Sequence, residues 1–538
     1  MQNDTAETFD YVIVGSGPAG SVLADRLTED GRSTACVLEA GIPDRSMYIR
    51  IPAGFTKTLY DPAFAWGFKS EPGAGVANRS IKLPQGRVVG GSSAINGMVY
   101  NRGQAEDFDD WEALGCTGWG YRDVLPYFRR SENKVGAGDD QYRGRLGPFP
   151  ITNSDWPSPL CDAFISGAGE LGIPANADYN GAVQEGAGYF QRNIYKGRRV
   201  TAADAFLHPA VKRGTVSLRT NAQATAVILE GRRATGVRYR QGGADKVVSA
   251  RREVILAAGA LNSPKLLQLS GIGPEALLRE AGIAPVLDLP GVGENLRDHF
   301  TVRIVARAKD ARTINELSKG WRLGAEVVKW LAGRPSILAL SPSLVHVFAK
   351  SSPELRRTDL QVLFTPASYQ EGKVYVMDDF PGMSAGARPQ RLASTGWVRI
   401  RSADPMVDPA VQPNYLADER DQAATVQSLK LARRLLQTEA RRPYLDQETL
   451  PGKAVTTDDE WLDFARQRAG TAYHLGGSCR MGPFAAEGAV VGTDLRVHGI
   501  QGLRVADASI MPLLPSANTA AASLMIGEKA ADAIRAAA

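Results

Sequence analysis

The sequence predicts a mixed α/β fold, in which a doubly wound parallel region is interleaved with a second region of α+β character. Three observations predict it. A strand–glycine–helix unit opens the chain, the same grammar recurs at 252–273, and composition changes over 306–455 before the first style returns.

The opening unit is "YVIVGSGPAGSVLADRL", residues 11–27. Tyr11–Val14 is a short apolar run of the kind buried on both faces of a parallel sheet. Gly15, Gly17 and Gly20 fit G-x-G-x-x-G, and Leu23, Ala24 and Leu27 give the following helix an apolar face. A second strand, "TACVLEAG", ends in Glu39, 19 positions after Gly20. An acidic residue at that distance meets a ribose hydroxyl in the Rossmann-type dinucleotide fold. Strand, glycines, helix, strand and acid in this order weigh far more than the glycine triplet alone.

"GTVSLRTNAQATAVILEGRRATGVRYR" (214–240) alternates in period two and turns at Glu230-Gly231, which predicts antiparallel strands. In "REVILAAGALNSPKLLQLSGIG" (252–273) a buried strand, Val254–Ala257, precedes small residues and a helix expected to begin near Ser263-Pro264. "LPGVGENLRDH" (289–299) reads as a loop. Longer helical patterns and strands such as "STGWVRIRSADP" (394–405) mark the second region, and "GLRVADASIMP" (502–512) returns to the first. An Ala-rich helix closes the chain.

Composition narrows the function. Of 538 residues, 43% are hydrophobic and 22% charged, as in ordinary globular proteins. A net charge of +5 with no basic run gives a nucleic-acid partner little support. Cys36, Cys116, Cys161 and Cys479 are far apart and form no CxxC pair, so they read as reduced thiols rather than disulfides or metal ligands. The polar start "MQNDTAETFD" lacks the features of a signal peptide. The apolar run at 337–348 is interrupted and falls short of the ~20 residues that span a bilayer. A cytoplasmic protein with no stable membrane insertion is expected.

"GRVVGGSSAINGMVYNRG" (86–103) carries five glycines, which let backbone approach a ligand closely. Gly90-Gly91 leads into Ser92-Ser93 with no lysine, so this is not the usual phosphate-binding loop. Together with "YVIVGSGPAGSVLADRL", "GALNSPKLLQLSGIG", "LPGVGENLRDH", "STGWVRIRSADP" and "YHLGGSCRMG…VVGTDLRVHGIQGLRVADASIMPLLPSANTAAASLM", it resembles the blocks of the glucose–methanol–choline oxidoreductases, in order and over nearly the whole chain. The style is that of the bacterial choline-dehydrogenase-like branch.

The resemblance implies a Rossmann-type FAD-binding domain built from 1–155, 201–305 and 456–538. A substrate-binding domain of 156–200 and 306–455, an antiparallel sheet flanked by helices, would be interleaved with it. It implies that Gly90–Ser93, with Arg87 just ahead, pass the flavin diphosphate and ring, while Asn96, Gly97, Met98 and Val99 line the ring edge. The pyrophosphate would sit at the first helix N-terminus, by Gly17, Pro18 and Ala19. Glu39 and Ala40 would hold the adenosine ribose, and Ala224 would present backbone to adenine. Ala258, Gly259, Asp507, Ala508 and Thr519 would complete the cofactor contacts. Family members that bind FAD covalently carry a histidine where this chain has Ile95, so dissociable FAD is expected.

Five histidines remain to be assigned. His208, in an expected loop, and His498 read as bland, and His299, in "NLRDH", as structural. His346 either faces the substrate or packs. The resemblance places His474 in the active site as the base, with Asn518 where many relatives have a second histidine. Tyr473 and Trp66 are candidates for the substrate side, with packing the other reading of Trp66, and Cys479 is expected to be a small buried filler. No residue is assigned to a metal. The implied activity is oxidation of a primary alcohol to the aldehyde, with oxygen, a quinone or another carrier as acceptor. A redox-neutral hydroxynitrile lyase, which shares the fold, stays open. A nicotinamide-dependent dehydrogenase fits the first motif but leaves 90–99 without a role.

Overall fold

The computed structural model describes residues 7–370, 373 and 376–537; the first six residues of the polar start lie outside these. Two large sheets organise the chain. In the first, Val216–Arg219, Ala35–Leu38, Glu7–Val14, Ala244–Leu256, Arg233–Gln241 and Ala222–Glu230 lie side by side, and Leu503–Val505 pairs with Ala244–Leu256. Glu7–Val14 is parallel to both its neighbours. Of the antiparallel strands expected over 214–240, Ala222–Glu230 and Arg233–Gln241 pair so, with the turn at Glu230-Gly231 as expected, whereas Val216–Arg219 runs parallel to Ala35–Leu38 at the sheet edge.

Tyr11–Val14 is buried because helices cover it. Pro18–Thr28 and the final helix, Thr519–Ala536, pack together over this sheet. A Cβ on Gly527 would lie 2.8 Å from the Ala19 carbonyl oxygen, so only glycine lets the two helices approach this closely. Glu528, fully buried, is satisfied by Arg26 at 2.9 Å and Arg130 at 2.7 Å.

The second sheet is antiparallel, in the order Leu445–Leu450, Phe300–Ala308, Gly382–Pro389, Leu360–Thr365, Val345–Ala349 and Gly186–Tyr189. Its core includes the stacked pair Phe164 and Phe364, with Trp461 from the helix Asp458–Arg468. The strand Phe300–Ala308 crosses the boundary expected at 305, and Gly470–Thr471 pairs with its first residues. The strand begins directly after the 289–299 loop, five residues ahead of 305, where the change in composition placed the boundary.

Two local expectations are corrected. The helix expected near Ser263-Pro264 begins at Gly259 and runs to Leu269. Pro264 lies inside it and leaves the Ala260 carbonyl without its helical donor. The Ser478 hydroxyl donates to that carbonyl instead, so the partner that makes the proline tolerable is more than two hundred residues away. His208, expected in a loop, starts the short helix His208–Arg213 and pairs with Asp44 at 3.0 Å. Among the described residues no helix is long and apolar enough to cross a membrane.

Candidate active site

A long cleft runs between the two sheets, with a cavity of about 330 Å³, in the range of cofactor and small-molecule sites. One end is built by the glycine turn. Gly15 has φ +102°, and a Cβ there would lie 2.4 Å from the Ala257 carbonyl oxygen. Gly20 does not line the cleft; its Cβ would meet the Gly15 carbonyl at 2.0 Å, so it serves the strand–helix contact. Gly17 precedes the helix Pro18–Thr28 and offers no side-chain cap. The first-turn amide of Ala19 and the positive end of the helix therefore face the cleft.

Glu39 is buried beside this turn and lines the cleft. Its carboxylate accepts from the Ser16 hydroxyl at 2.6 Å, the Ser16 amide at 3.1 Å and the Gly41 amide at 2.8 Å. Burial raises its pKa above the usual carboxylate value against these hydrogen bonds. Asp507 accepts from the Ser263 hydroxyl and from the Gly259 amide at 2.9 Å, which ties the second glycine turn to the loop after Leu503–Val505.

The stretch 86–99 forms the middle of the cleft. A Cβ on Gly91 would lie 2.7 Å from the Gly17 Cα, so this loop is pressed against the first turn. Met98 has φ +60°, and its amide donates to Asn96 Oδ1 at 3.0 Å. Arg199, which the sequence reading missed, braces the loop from behind. It donates to Ile49 O, Ser93 O and Asn96 Oδ1 at 2.8–3.2 Å, and burial lowers its pKa to about 9. Gly91, Ser92, Asn96, Gly97, Met98 and Val99 line the cleft, as do Ala40, Ala224, Ala258, Gly259, Asp507, Ala508 and Thr519.

Two expected cofactor contacts stand back from the cleft. Gly90 donates its amide to the Ser16 hydroxyl at 3.2 Å. Arg87 lies over the Trp66 ring at 4.4 Å. Gly90 is displaced because the chain turns on it, at φ +91°, and Arg87 because its guanidinium packs on the Trp66 ring. Trp66 itself lines the cleft and stacks on Phe68.

His474 and Asn518 meet at the blind end. His474 Nε2 lies 2.9 Å from Asn518 Nδ2. Asn518 is the N-cap residue of the last helix, yet its side chain caps nothing, and its Oδ1 is buried without a partner. The backbone of His474 is pinned by its amide to Asp298 Oδ1 at 2.7 Å. Asp298 also accepts from the Tyr415 and Thr471 hydroxyls, and burial raises its pKa to about 6. Tyr473 takes φ +67° and hydrogen-bonds Tyr60 at 2.8 Å, which turns the chain so that His474 faces inward.

Two further groups were not foreseen at this end. His299 Nδ1 is 3.0 Å from His474 Nδ1, and Arg388 Nη1 is 3.5 Å from the same atom. Burial, then Arg388, then His299 hold the His474 pKa well below its usual 6.5. His299 had read as structural because only the antiparallel approach of 297 to 476 brings "NLRDH" beside "TAYHLGG". Arg388 carries no motif-level signal of its own.

His346 does not reach the cleft. It is fully buried among Tyr179, Phe190 and Phe348, with ring centroids at 4.3–5.3 Å, and burial lowers its pKa to about 3. Its strand position aims it at the correct sheet face, but Phe190 covers that face locally. Cys479 is buried off the cleft, and all four cysteines are free thiols.

A dinucleotide cleft ending at a buried imidazole defines a flavin-type oxidoreductase rather than a simple binding module. The GMC oxidoreductase family models match residues 9–301 and 393–527. The chain is 42% identical over 530 residues to an oxygen-dependent choline dehydrogenase of Brucella anthropi, covering 98% of this chain and 95% of that one. It superposes on pyridoxine 4-oxidase from Mesorbium loti with TM-score 0.88 and 30% identity, covering 97% and 98% of the two chains. For formate oxidase of Aspergillus oryzae RIB40, studied for its FAD modification, the TM-score is 0.92 at 26% identity, with 99% of both chains covered. The chain belongs to the GMC oxidoreductase family and is an FAD-dependent alcohol-oxidising enzyme.

The cleft fits FAD on its own chemistry. A Cβ on Gly17 would stand in open space within the cleft, and the buried Glu39 carboxylate lines the cleft beside this turn. Gly91 and Gly97 bring bare backbone to the cleft wall, and Asn518 Oδ1 is buried there without a donor.

Proposed function

We propose that the enzyme oxidises a neutral or anionic primary alcohol to the aldehyde, with His474 as base, Asn518 as positioning donor and FAD held without a covalent bond. The observation that carries the reading is the His474–Asn518 contact of 2.9 Å at the blind end of the cofactor cleft.

When bound, FAD supplies the two-electron acceptor for the hydride of the alcohol carbon. The protein has to weaken the O–H bond. An alcohol hydroxyl entering between the two side chains donates to His474 Nε2 and accepts from Asn518 Nδ2, so the developing alkoxide keeps a donor as the proton leaves. His474 is neutral at working pH because burial and the Arg388 charge disfavour the imidazolium. Its lone pair is therefore free, while the same surroundings disfavour the imidazolium that proton abstraction forms. Asn518 Nδ2 already points at His474 Nε2, and its Oδ1 is not engaged in capping its own helix. The uncapped amides of the helix from Thr519 favour negative charge at the same end.

The substrate class follows from the sheet that closes the cleft. Alternate residues of its strands face inward: Thr301 and Arg303, Ser384, Gly386 and Arg388, Leu363 and Thr365. Arginine is the charged type on this face. The acidic lining residues among those described, Glu39 and Asp507, belong to the cofactor side. A quaternary ammonium is held by a carboxylate or an aromatic cage, and this sheet face offers Arg303 and Arg388 and no carboxylate. The two positive charges make choline the poorer substrate, despite the relatives that carry its name and the aromatic rings of Trp66, Phe190 and Tyr369 elsewhere in the lining. Ile95, buried and purely hydrocarbon, supports a dissociable cofactor. Four buried free thiols suit a reducing, cytoplasmic setting.

Anaerobic addition of a panel of benzylic, furanic, sugar and carboxylate-bearing alcohols should bleach the flavin band. Acid precipitation should leave the yellow colour in the supernatant. No bleaching with any alcohol, with cyanohydrin cleavage instead, would favour a redox-neutral lyase. Choline faster than every neutral or anionic alcohol would overturn the substrate class.

A further inference from the structure

We infer that His299 is a positioning residue that fixes the tautomer of His474, leaving Nε2 as the bare nitrogen that faces the cleft. The inference rests on reading His474 as the base. The argument is one of donors and acceptors. His299 Nε2 lies 2.7 Å from the main-chain carbonyl oxygen of Gln390. A carbonyl only accepts, so the hydrogen is on His299 Nε2. A neutral imidazole carries a single N–H, which leaves His299 Nδ1 a bare lone pair.

That lone pair is 3.0 Å from His474 Nδ1. Two bare nitrogens would repel at this distance, so His474 Nδ1 carries the hydrogen and donates it. His474 Nε2 is then the lone pair, and the Asn518 Nδ2–H at 2.9 Å is its matching donor. The chain of polarity runs from the Gln390 carbonyl through both rings to the cleft along the three shortest contacts, 2.7, 3.0 and 2.9 Å. Which ring nitrogen of a histidine holds the proton is set by the partner of the other nitrogen. A free imidazole side chain prefers the opposite arrangement, with hydrogen on Nε2, which would turn a donor toward the alcohol.

The surroundings hold both rings neutral. Arg388 Nη1, which can only donate, also approaches His474 Nδ1 at 3.5 Å; this longer contact competes with His299 Nδ1 at 3.0 Å for the same nitrogen, and the guanidinium charge opposes a second proton on the ring. Its own guanidinium is held by Gln361 through two N–H groups. Asp298, the carboxyl of this cluster, spends Oδ1 on the His474 main-chain amide and Oδ2 on Thr471 and Tyr415. It is turned away from both imidazoles and does not compete for their protons. His299 is fully buried, with its pKa lowered to about 3 by burial and then by Arg388.

The test uses the FAD-loaded enzyme labelled with ¹⁵N-histidine, in which long-range proton–nitrogen correlations report the tautomer of each of the five imidazoles. His474, assigned by loss of its signals in His474→Gln, should show a protonated Nδ1 and a bare Nε2. In His299→Ala the His474 pattern should move toward protonated Nε2. Flavin reduction should then slow by roughly 10- to 100-fold, part of what a positioned base contributes, with KM changed less than about threefold. His299→Asn is the discriminating variant. Its amide can donate to Gln390 and accept from His474 Nδ1, so it should restore the tautomer and bring the rate within about fivefold of the parent.

A parent enzyme with hydrogen on His474 Nε2 would overturn the inference. So would His299→Ala reacting at the parent rate, or Ala and Asn variants equally slow, since a merely structural histidine gives no reason for Asn to rescue. If the tautomer is as described but His474→Ala still reduces flavin at the parent rate, the base assignment falls and the tautomer assignment stands.

Discussion

Asn518 sits where two roles make opposite predictions. Asparagine is among the best helix N-caps, and replacing a working cap with alanine costs about 0.5–2 kcal/mol of stability. Here the side chain accepts nothing from its own helix, so that cost should be absent and Asn518→Ala should unfold within about 0.5 kcal/mol of the parent. The loss should fall on the chemistry instead. The amide offers one donor to the oxygen that becomes alkoxide, and removing one such preorganised donor typically lowers rate by roughly 10²–10³-fold. Asn518→Ser separates the readings cleanly, because serine caps as well as asparagine but does not reach His474 Nε2 from the same backbone. The assay is anaerobic stopped-flow reduction of the flavin band, normalised to bound FAD, beside urea unfolding of the same samples. A Ser variant that keeps the parent rate, or an Ala variant that loses about 1 kcal/mol while reducing flavin normally, would refute the catalytic reading and restore the cap.

Three other outcomes are expected. His474→Ala should retain FAD and lose roughly 10²–10⁴-fold in flavin reduction; retention of rate would remove it from the mechanism. Because the His474 pKa is depressed, the base stays deprotonated as pH falls through 6.5, so the acid limb of the reduction rate should lie below that value. Arg388→Gln removes one of the opposing charges and should move the limb upward; a parent limb above pH 6.5 would contradict this. Gly97→Ala would place a Cβ 2.6 Å from Pro342 Cγ, an overpacking worth about 1–3 kcal/mol, which should show as weaker FAD retention in a chaotrope series.

The N-terminal glycine turn was legible because its constraints are local. Gly15 needs a left-handed φ, Gly17 must leave room at a helix end, and Glu39 follows at the length of one helix and one strand. Such requirements recur wherever this unit occurs, so spacing alone announces them. The 86–103 stretch was legible as a close approach of backbone, though not in detail. Gly90 and Arg87 face the scaffold, and nothing in a glycine-rich string says which glycine turns and which lines.

What the amino-acid order determined was therefore the nucleotide-binding frame, the antiparallel hairpin of 222–241 and, through the family resemblance, the candidacy of His474 and Asn518. The tertiary structure alone decided which groups share an environment. His299 is 175 positions from His474, Arg388 is 86 and Ser478 is 218 from the carbonyl it rescues. His346 shows the converse, a histidine on the correct face of the correct sheet that is covered by Phe190. A hydrogen bond acts over about 3 Å, and no periodicity in the chain encodes which distant residues the packing of two sheets brings within that reach.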